Sequence, residues 1–231
     1  MSVRVHRVGR SALLLEVADD AEVASLMAEL IRRQESGELG RVAEVVPAAR
    51  TVLLDGVARP DEVARQFADW RPVPVPPGTG PLVRVPTVYD GADLAEVAAR
   101  WGVSPAEAVR IHSDGEYRVA FCGFAPGFGY LTGLPERFAV PRRDTPRTRV
   151  PVGSVALAGS YTGVYPAASP GGWQLLGRTA LPLWDPRRTP AALLAPGTRV
   201  RFTPLADEPV GAEPVGDEPV GGTPVAGKEH G

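Results

Sequence analysis

The first 70 residues switch between two hydrophobic periods. Val3, Val5 and Val8 predict a short strand, and the Gly9-Arg10-Ser11 turn leads into a second over residues 12–17. Asp19 or Asp20 then offers a helix cap. Beyond it Val23, Leu26, Met27, Leu30 and Ile31 recur at i, i+3, i+4, i+7 and i+8, the stripe of a helix buried on one face. Gly37 or Gly40 ends that helix. Residues 41–46 and 51–55 read as two further strands. Pro60, followed by Asp61 and Glu62, opens a second helix that carries Val63, Phe67 and Trp70. Residues 1–70 are therefore expected to form a small α+β domain with one helical layer, its Met, Phe and Trp serving as core.

The pattern then breaks. Residues 71–81 hold prolines at 72, 74, 76, 77 and 81 and glycines at 78 and 80, a stiff, extended linker that excludes helix. Residues 82–205 follow as a second domain. A strand is expected over residues 82–89, with Pro86 near its end. Asp93 caps a helix over residues 94–101 that stops at Gly102. Ser104-Pro105-Ala106-Glu107 is a capping box with proline at the first helical position, and its helix runs to His112. Short β-like runs come next, at residues 117–122, 152–158, 173–179 and 198–202, with Gly and Pro between them. That spacing predicts a mainly-β sandwich or barrel. In residues 206–231 a Glu-Pro-Val-Gly unit repeats from Glu208, Glu213 and Glu218. Its acids, prolines and glycines bury too little apolar surface to offset the entropy of ordering, so this acidic repeat is expected to be a disordered tail.

Composition removes several function classes. Cys122 is the one cysteine in the 231 residues, which excludes a disulfide framework and a multi-cysteine zinc site. His6, His112 and His230 are too scattered for metal-ligand spacing; no metal is expected. No apolar run approaches ~18 residues, and the first residues lack the apolar stretch of a secretory signal. A soluble, cytoplasmic protein is the expectation. Without residues 206–231, which hold six acids and Lys228 as their one base, the balance is 24 bases to 21 acids. That is too mild to suggest nucleic-acid binding. There is no Gly-x4-Gly-Lys-Ser/Thr loop, no Gly-x-Gly-x-x-Gly after a strand and no Gly-x-Ser-x-Gly elbow, so P-loop, Rossmann and serine-hydrolase readings have no support.

Three stretches hold candidate chemistry. In the first, Tyr117, Val119 and Phe121 alternate with Arg118, Ala120 and Cys122, so one strand face is packed. The chain then runs Gly123-Phe124-Ala125-Pro126-Gly127-Phe128-Gly129-Tyr130. Interleaved glycines and aromatics either pave a pocket floor or form a tight barrel corner. Residues 137–150 hold Arg137, Arg142, Arg143, Arg147 and Arg149 against Asp144, among Pro141 and Pro146. This irregular loop either grips carboxylate or phosphate oxygens through its guanidinium forks or is simply a solvated basic loop. The third runs from Gly153-Ser154 through Tyr161-Thr162-Gly163-Val164-Tyr165 and Ser169-Pro170-Gly171-Gly172-Trp173-Gln174 to Arg178-Thr179, with the hydroxyl, amide and guanidinium groups that a small polar ligand needs. His112, at a helix end, is either a proton-transfer group near neutrality or a packed, hydrogen-bonded core histidine.

Read in order, these residues resemble a known family. His112-Ser113, Tyr117-x-Val119 and Gly123-Phe124-Ala125-Pro126-Gly127-Phe128-x-Tyr130-Leu131 begin the pattern. Pro141-Arg142, Pro146-Arg147, Val150-Pro151-x-Gly153-Ser154-Val155 and Ser169-Pro170-Gly171-Gly172-Trp173-x-Leu175-x-Gly177-Arg178-Thr179 continue it, and Pro196-Gly197-x-x-Val200-x-Phe202 closes it. The family is variously called the B-type subunit of 5-oxoprolinase, Kip-inhibitor-like protein and allophanate hydrolase subunit 1. The resemblance spans about residues 1–205. It departs at Tyr161, where the family often has Gln before the Thr of a Gly-x-Gln-Thr-Gly segment.

The resemblance implies an N-terminal α+β domain followed by a mainly-β, cyclophilin-like barrel. It also implies a 5-oxoprolinase component that works with C-type and A-type sister subunits to open the 5-oxoproline lactam to L-glutamate at the expense of ATP. Other members inhibit a sporulation histidine kinase, and related domains occur in urea carboxylases; both are alternative functions. Lactam opening needs positive groups against developing charge, a role expected of Arg142, Arg147 and Arg178. Ser154, Thr162 and Gln174 are expected to orient the ligand, with Gly123, Phe124, Pro126, Phe128, Tyr130 and Tyr165 lining its site and His112 as the proton-transfer group.

Overall fold

The computed structural model describes residues 3–75 and 80–205; the acidic repeat tail and part of the proline-rich linker lie outside the described residues. The N-terminal unit comprises β1 (Arg4–Val8), β2 (Ala12–Glu16), α1 (Asp20–Glu35), β3 (Glu44–Pro47), β4 (Thr51–Asp55) and α2 (Pro60–Phe67). Its sheet is antiparallel in the order β1-β2-β4-β3. Pro47 is tolerated because β3 is an edge strand. Asp19 caps α1, its carboxylate accepting the Glu22 amide at 2.8 Å. Leu13, Leu15, Val52 and Leu54 from the sheet pack with Leu26, Leu30, Val63 and Phe67 from the helices. Ile31 leaves the expected stripe: it is 51% exposed, on the edge of α1 that overlooks the second unit.

The second unit comprises β5 (Leu82–Thr87), α3 (Leu94–Trp101), α4 (Pro105–Asp114), β6 (Tyr117–Cys122), β7 (Gly129–Thr132), a 3-10 turn at Glu136–Phe138, β8 (Arg147–Val150), β9 (Ser154–Ala158), β10 (Tyr161–Val164), β11 (Ser169–Gly171), β12 (Gln174–Arg178) and β13 (Arg199–Pro204). Seven strands follow one another in the order β12-β9-β10-β7-β6-β13-β5, all antiparallel except β5 beside β13. Past β5 the chain returns to the opposite edge. Val88 and Arg178 exchange backbone hydrogen bonds of 2.9 and 2.8 Å, which bring the two edges together into a barrel-like sheet. Strands β8 and β11 form a separate two-stranded ribbon.

One apolar cluster draws on every strand of the barrel: Val85, Val119, Leu131, Leu157, Val164, Leu176 and Phe202 are among its members, so it is the barrel interior. Val97 of α3 is buried in it, with Ile111 of α4 packed alongside. A second cluster lies on the outer face, where Ala156, Ala158 and Leu175 meet Phe128, Val150, Tyr165 and Trp173.

The expected helices are present; of the capping box, the Ser104 half forms, its hydroxyl accepting the Glu107 amide at 3.2 Å, while the Glu107 carboxylate pairs with Arg110. Four strands, β7, β8, β10 and β11, lie outside the expected β runs. The arginine-rich stretch expected to be wholly irregular ends in β8. In β10, Gly163 lies in a stretch that the sequence does not mark as a strand. Here it is a strand residue whose missing side chain makes room for two rings: a Cβ there would sit 3.0 Å from Phe128 and 3.0 Å from Trp173. The alternation expected for residues 117–122 also shifts. A bulge between Val119 and Phe121 turns Phe121 out of the interior, where it stacks on Tyr130, while Cys122 packs inward.

Candidate functional site

The residues singled out from the sequence fall into four places. His112 lies inside the barrel, fully buried. Tyr89 Oη is 2.7 Å from His112 Nδ1, and Thr162 Oγ1 is 3.2 Å from Nε2. Burial drives the Tyr89 hydroxyl well above its usual range, so it stays protonated and donates to Nδ1. Nε2–H then donates to Thr162, whose hydroxyl donates to Tyr117. Tyr117 in turn donates to the His112 carbonyl at 2.9 Å. Every member of this network is satisfied, and burial pushes the His112 pKa down to about 3. The observed work of His112 and Thr162 is to join α4 to β10 through the barrel interior.

Ser154, at the start of β9, turns its hydroxyl back onto the Pro151 carbonyl at 2.8 Å. Arg178 lies at the barrel seam, its Nε donating to Asp90 at 2.7 Å, with both side chains well exposed.

The rest gather around the start of β12, the β8–β11 ribbon and the Gly-aromatic turn. Asp93, read as a helix cap, makes no capping bond. Its carboxylate is buried: Oδ1 accepts Arg143 Nη1 at 2.9 Å and Arg147 Nη2 at 2.8 Å, and Oδ2 accepts the Leu175 amide at 2.7 Å. Burial raises its pKa, but the Arg147 hydrogen bond, the Leu175 amide and the charges of Arg147 and Arg143 prevail and hold it below the usual carboxylate range. Gln174, beside Leu175, is also buried and donates through Nε2 to the Pro141 carbonyl at 3.2 Å. Tyr165, 2% exposed, takes the Trp173 amide on its phenol oxygen and feels the charges of Arg142 and Arg147. Arg142 is exposed.

Above Tyr165 sits the Gly-aromatic turn. Phe124 has φ +68°, in the left-handed region that a bulky residue rarely adopts, and the Ala125 amide closes a tight turn onto the Gly123 carbonyl at 2.8 Å. Its ring stays 62% exposed, 5.4 Å from Phe128 and 6.2 Å from Tyr165 between centroids. Backbone strain here holds an aromatic ring out at the surface. Pro126 is exposed in the same turn, and Tyr130 stacks with Phe121 on the adjacent sheet face.

Four atoms in this region are buried and unpartnered: Arg143 Nε, Arg147 Nη1, Gln174 Oε1 and Ser169 Oγ. Arg143 and Ser169 fall in candidate stretches but not among the expected site residues, Asp93 reads from the sequence only as a helix cap, and Tyr89 only as the end of a strand. A cavity of about 630 Å³ lies elsewhere, between α1, Pro72–Val75, β6 and Pro196-Gly197, and none of the expected site residues lines it. Among the described residues no three His, Cys, Asp or Glu side chains gather as a metal site, and no helix is long and apolar enough to cross a membrane.

Comparison with known proteins adds the identity of the scaffold. The family described as carboxyltransferase domain, subdomain C and D, matches residues 3–194. The chain is 41% identical to the B-type subunit of 5-oxoprolinase from Escherichia coli O157:H7 over 209 residues, which cover 87% of this chain and 95% of that one. The chain belongs to the family of B-type 5-oxoprolinase subunits.

Among solved structures, a conserved uncharacterized protein from Pyrococcus horikoshii shares 32% identity at a TM-score of 0.53, over 88% of this chain and 98% of that chain. The chain spans only 41% of a longer solved chain, which it matches at 33% identity and a TM-score of 0.68 over 89% of its own length. A shorter stretch is 38% identical to the urea amidolyase of Saccharomyces cerevisiae over 77 residues, 31% of this chain and 4% of that one. The Gly-aromatic turn, the Pro-Arg loop and the Ser-Pro-Gly-Gly-Trp-Gln segment come together in this structure.

Proposed function

We propose that this chain is the B-type subunit of a cytoplasmic, ATP-dependent 5-oxoprolinase that hydrolyses 5-oxo-L-proline to L-glutamate together with A-type and C-type sister subunits. The observation that carries the reading is the 41% identity over 95% of the E. coli relative of that name. The Asp93 site supports it, because a guanidinium pair held by a buried carboxylate suits an anionic substrate. A cyclophilin-like barrel, as the family resemblance implies, is part of this reading.

In this reading the lactam oxygen takes the γ-phosphoryl group of ATP and ADP leaves. Water adds to the activated ring carbon, the C–N bond breaks with proton transfer to nitrogen, and a second water releases phosphate from the resulting γ-carboxyl phosphate. Arg142 and Arg147 supply positive charge at the site, Arg142 toward the developing oxyanion and Arg147 toward the substrate's carboxylate. Arg178 serves at the barrel seam toward the nucleotide or a sister polypeptide. Gln174, Tyr165 and the Gly123–Phe128 turn orient the ring, while Ser154, Thr162 and His112 hold the strands beneath it; the proton-transfer group then comes from elsewhere in the complex.

The test is co-expression with the A-type and C-type subunits of the same organism, with ATP hydrolysis measured with and without 5-oxo-L-proline. Hydrolysis that rises with 5-oxo-L-proline and needs this chain supports the reading; a complex indifferent to it refutes the reading. The urea amidolyase match favours one rival, a component of an amide-cleaving carboxylase system. Hydrolysis stimulated by urea or allophanate instead would select that rival.

A further inference from the structure

The unpartnered atoms around Asp93 form a pattern. Arg143 Nε and Arg147 Nη1 are donors, and both guanidinium groups are already anchored through their other nitrogens on the single oxygen Asp93 Oδ1. Gln174 Oε1 is an acceptor. Its identity follows from the network, because the other end of that amide donates to the Pro141 carbonyl and must be nitrogen. Ser169 Oγ can give or take a hydrogen bond.

These groups are held together by several ties. Asp93 joins the arginines to the Leu175 amide, next to Gln174. The Arg143 amide donates to the Gly172 carbonyl at 2.8 Å, and Arg147 faces Gly171 across the β8–β11 ribbon, two residues from Ser169. The arginine side chains remain 32% and 22% exposed, so the cluster opens to the surface. A buried amide carbonyl and two buried guanidinium N–H groups left without partners are costly unless something binds them.

The vacant set is two cationic donors drawn together on Asp93 and one neutral acceptor on the residue next to Leu175, whose amide the same carboxylate holds. Its complement is a carboxylate with an N–H on the adjacent carbon. 5-Oxo-L-proline has this arrangement: the ring nitrogen, which carries a hydrogen, and the carboxylate share one carbon. We propose that Arg143 and Arg147 bind the substrate carboxylate and Gln174 Oε1 accepts the lactam N–H, with Asp93 as the positioning residue that aims both guanidinium groups. ATP phosphates offer acceptors but no N–H donor, so they leave Gln174 unsatisfied. This inference rests on the function proposed above.

The experiment uses the reconstituted complex with 5-oxo-L-proline and its N-methyl derivative as paired substrates. In the wild type the N-methyl compound should lose about ten- to a hundredfold in kcat/KM. Gln174→Met should bring the two substrates within about twofold of each other, a ratio that does not depend on how much protein folds. Arg147→Lys should raise KM for 5-oxo-L-proline about tenfold and leave KM for ATP unchanged. Asp93→Asn should raise the same KM with little change in kcat. Full discrimination by Gln174→Met, or a rise in KM for ATP rather than for 5-oxo-L-proline in Arg147→Lys, overturns the site while leaving the functional assignment intact. A wild-type complex inert toward 5-oxo-L-proline overturns both.

Discussion

His112 allows a prediction of stability against pH. In the folded chain its ring is fully buried, hydrogen-bonded at both nitrogens and neutral, with its pKa pushed down to about 3. In the unfolded chain it titrates near ~6.5. Between those values the unfolded state binds the proton and the folded state does not, so stability is full above the unfolded value and falls as the solution is acidified. From pH 7 to pH 5 the loss is about 2 kcal/mol. Carboxylates contribute little there, because their unfolded values lie near ~4. The perturbation is His112→Gln, which keeps a polar side chain but removes the titration. At pH 7 it should cost about 1–3 kcal/mol through weakened bonds to Tyr89 and Thr162. The assay is urea unfolding followed by tryptophan fluorescence at pH 7 and pH 5 for both proteins. Contributions common to the two cancel in the comparison. The wild type should lose about 2 kcal/mol more than the variant over this interval. Equal losses would refute a neutral, buried His112.

Other expectations are simpler to check. Asp93→Ala leaves two guanidinium groups and the Leu175 amide without their shared partner and should destabilise the barrel by about 3–5 kcal/mol in urea unfolding; because the Asp93 pKa is lowered in the fold, its stabilisation is present at neutral pH and disappears only as acid titrates it. Gly163→Ala forces a Cβ within 3.0 Å of the Phe128 and Trp173 rings and should cost about 1–3 kcal/mol, read as a lower unfolding midpoint. Phe124→Gly relieves a positive-φ phenylalanine, so it should raise stability by about 1 kcal/mol or leave it unchanged, while reducing turnover of the reconstituted complex. Arg178→Ala removes an exposed pair with Asp90 and should change stability by less than about 1 kcal/mol, so any loss of ATP-coupled turnover would report function rather than folding.

Much of this molecule can be read from neighbours along the chain. The apolar spacing of α1, the Ser104 capping box, the strands of the N-terminal sheet and the proline break each depend on residues a few positions apart, where periodicity and caps act. What those local rules miss are the contacts that barrel closure creates. Asp93 looks like a helix cap because capping is the local option, yet its carboxylate is taken by Arg143 and Arg147, 50 and 54 positions away, and by the amide of Leu175, 82 positions away. Gly163 lies outside the strands expected from the sequence, yet in β10 Phe128 and Trp173 fill the space its side chain would occupy. His112 looks equally suited to catalysis and to packing until the interior seals over it and dehydration disfavours its charge. Hydrogen bonding and desolvation act through space, so a pattern along the chain can name the groups available but not which of them will meet, or which will be left facing a ligand.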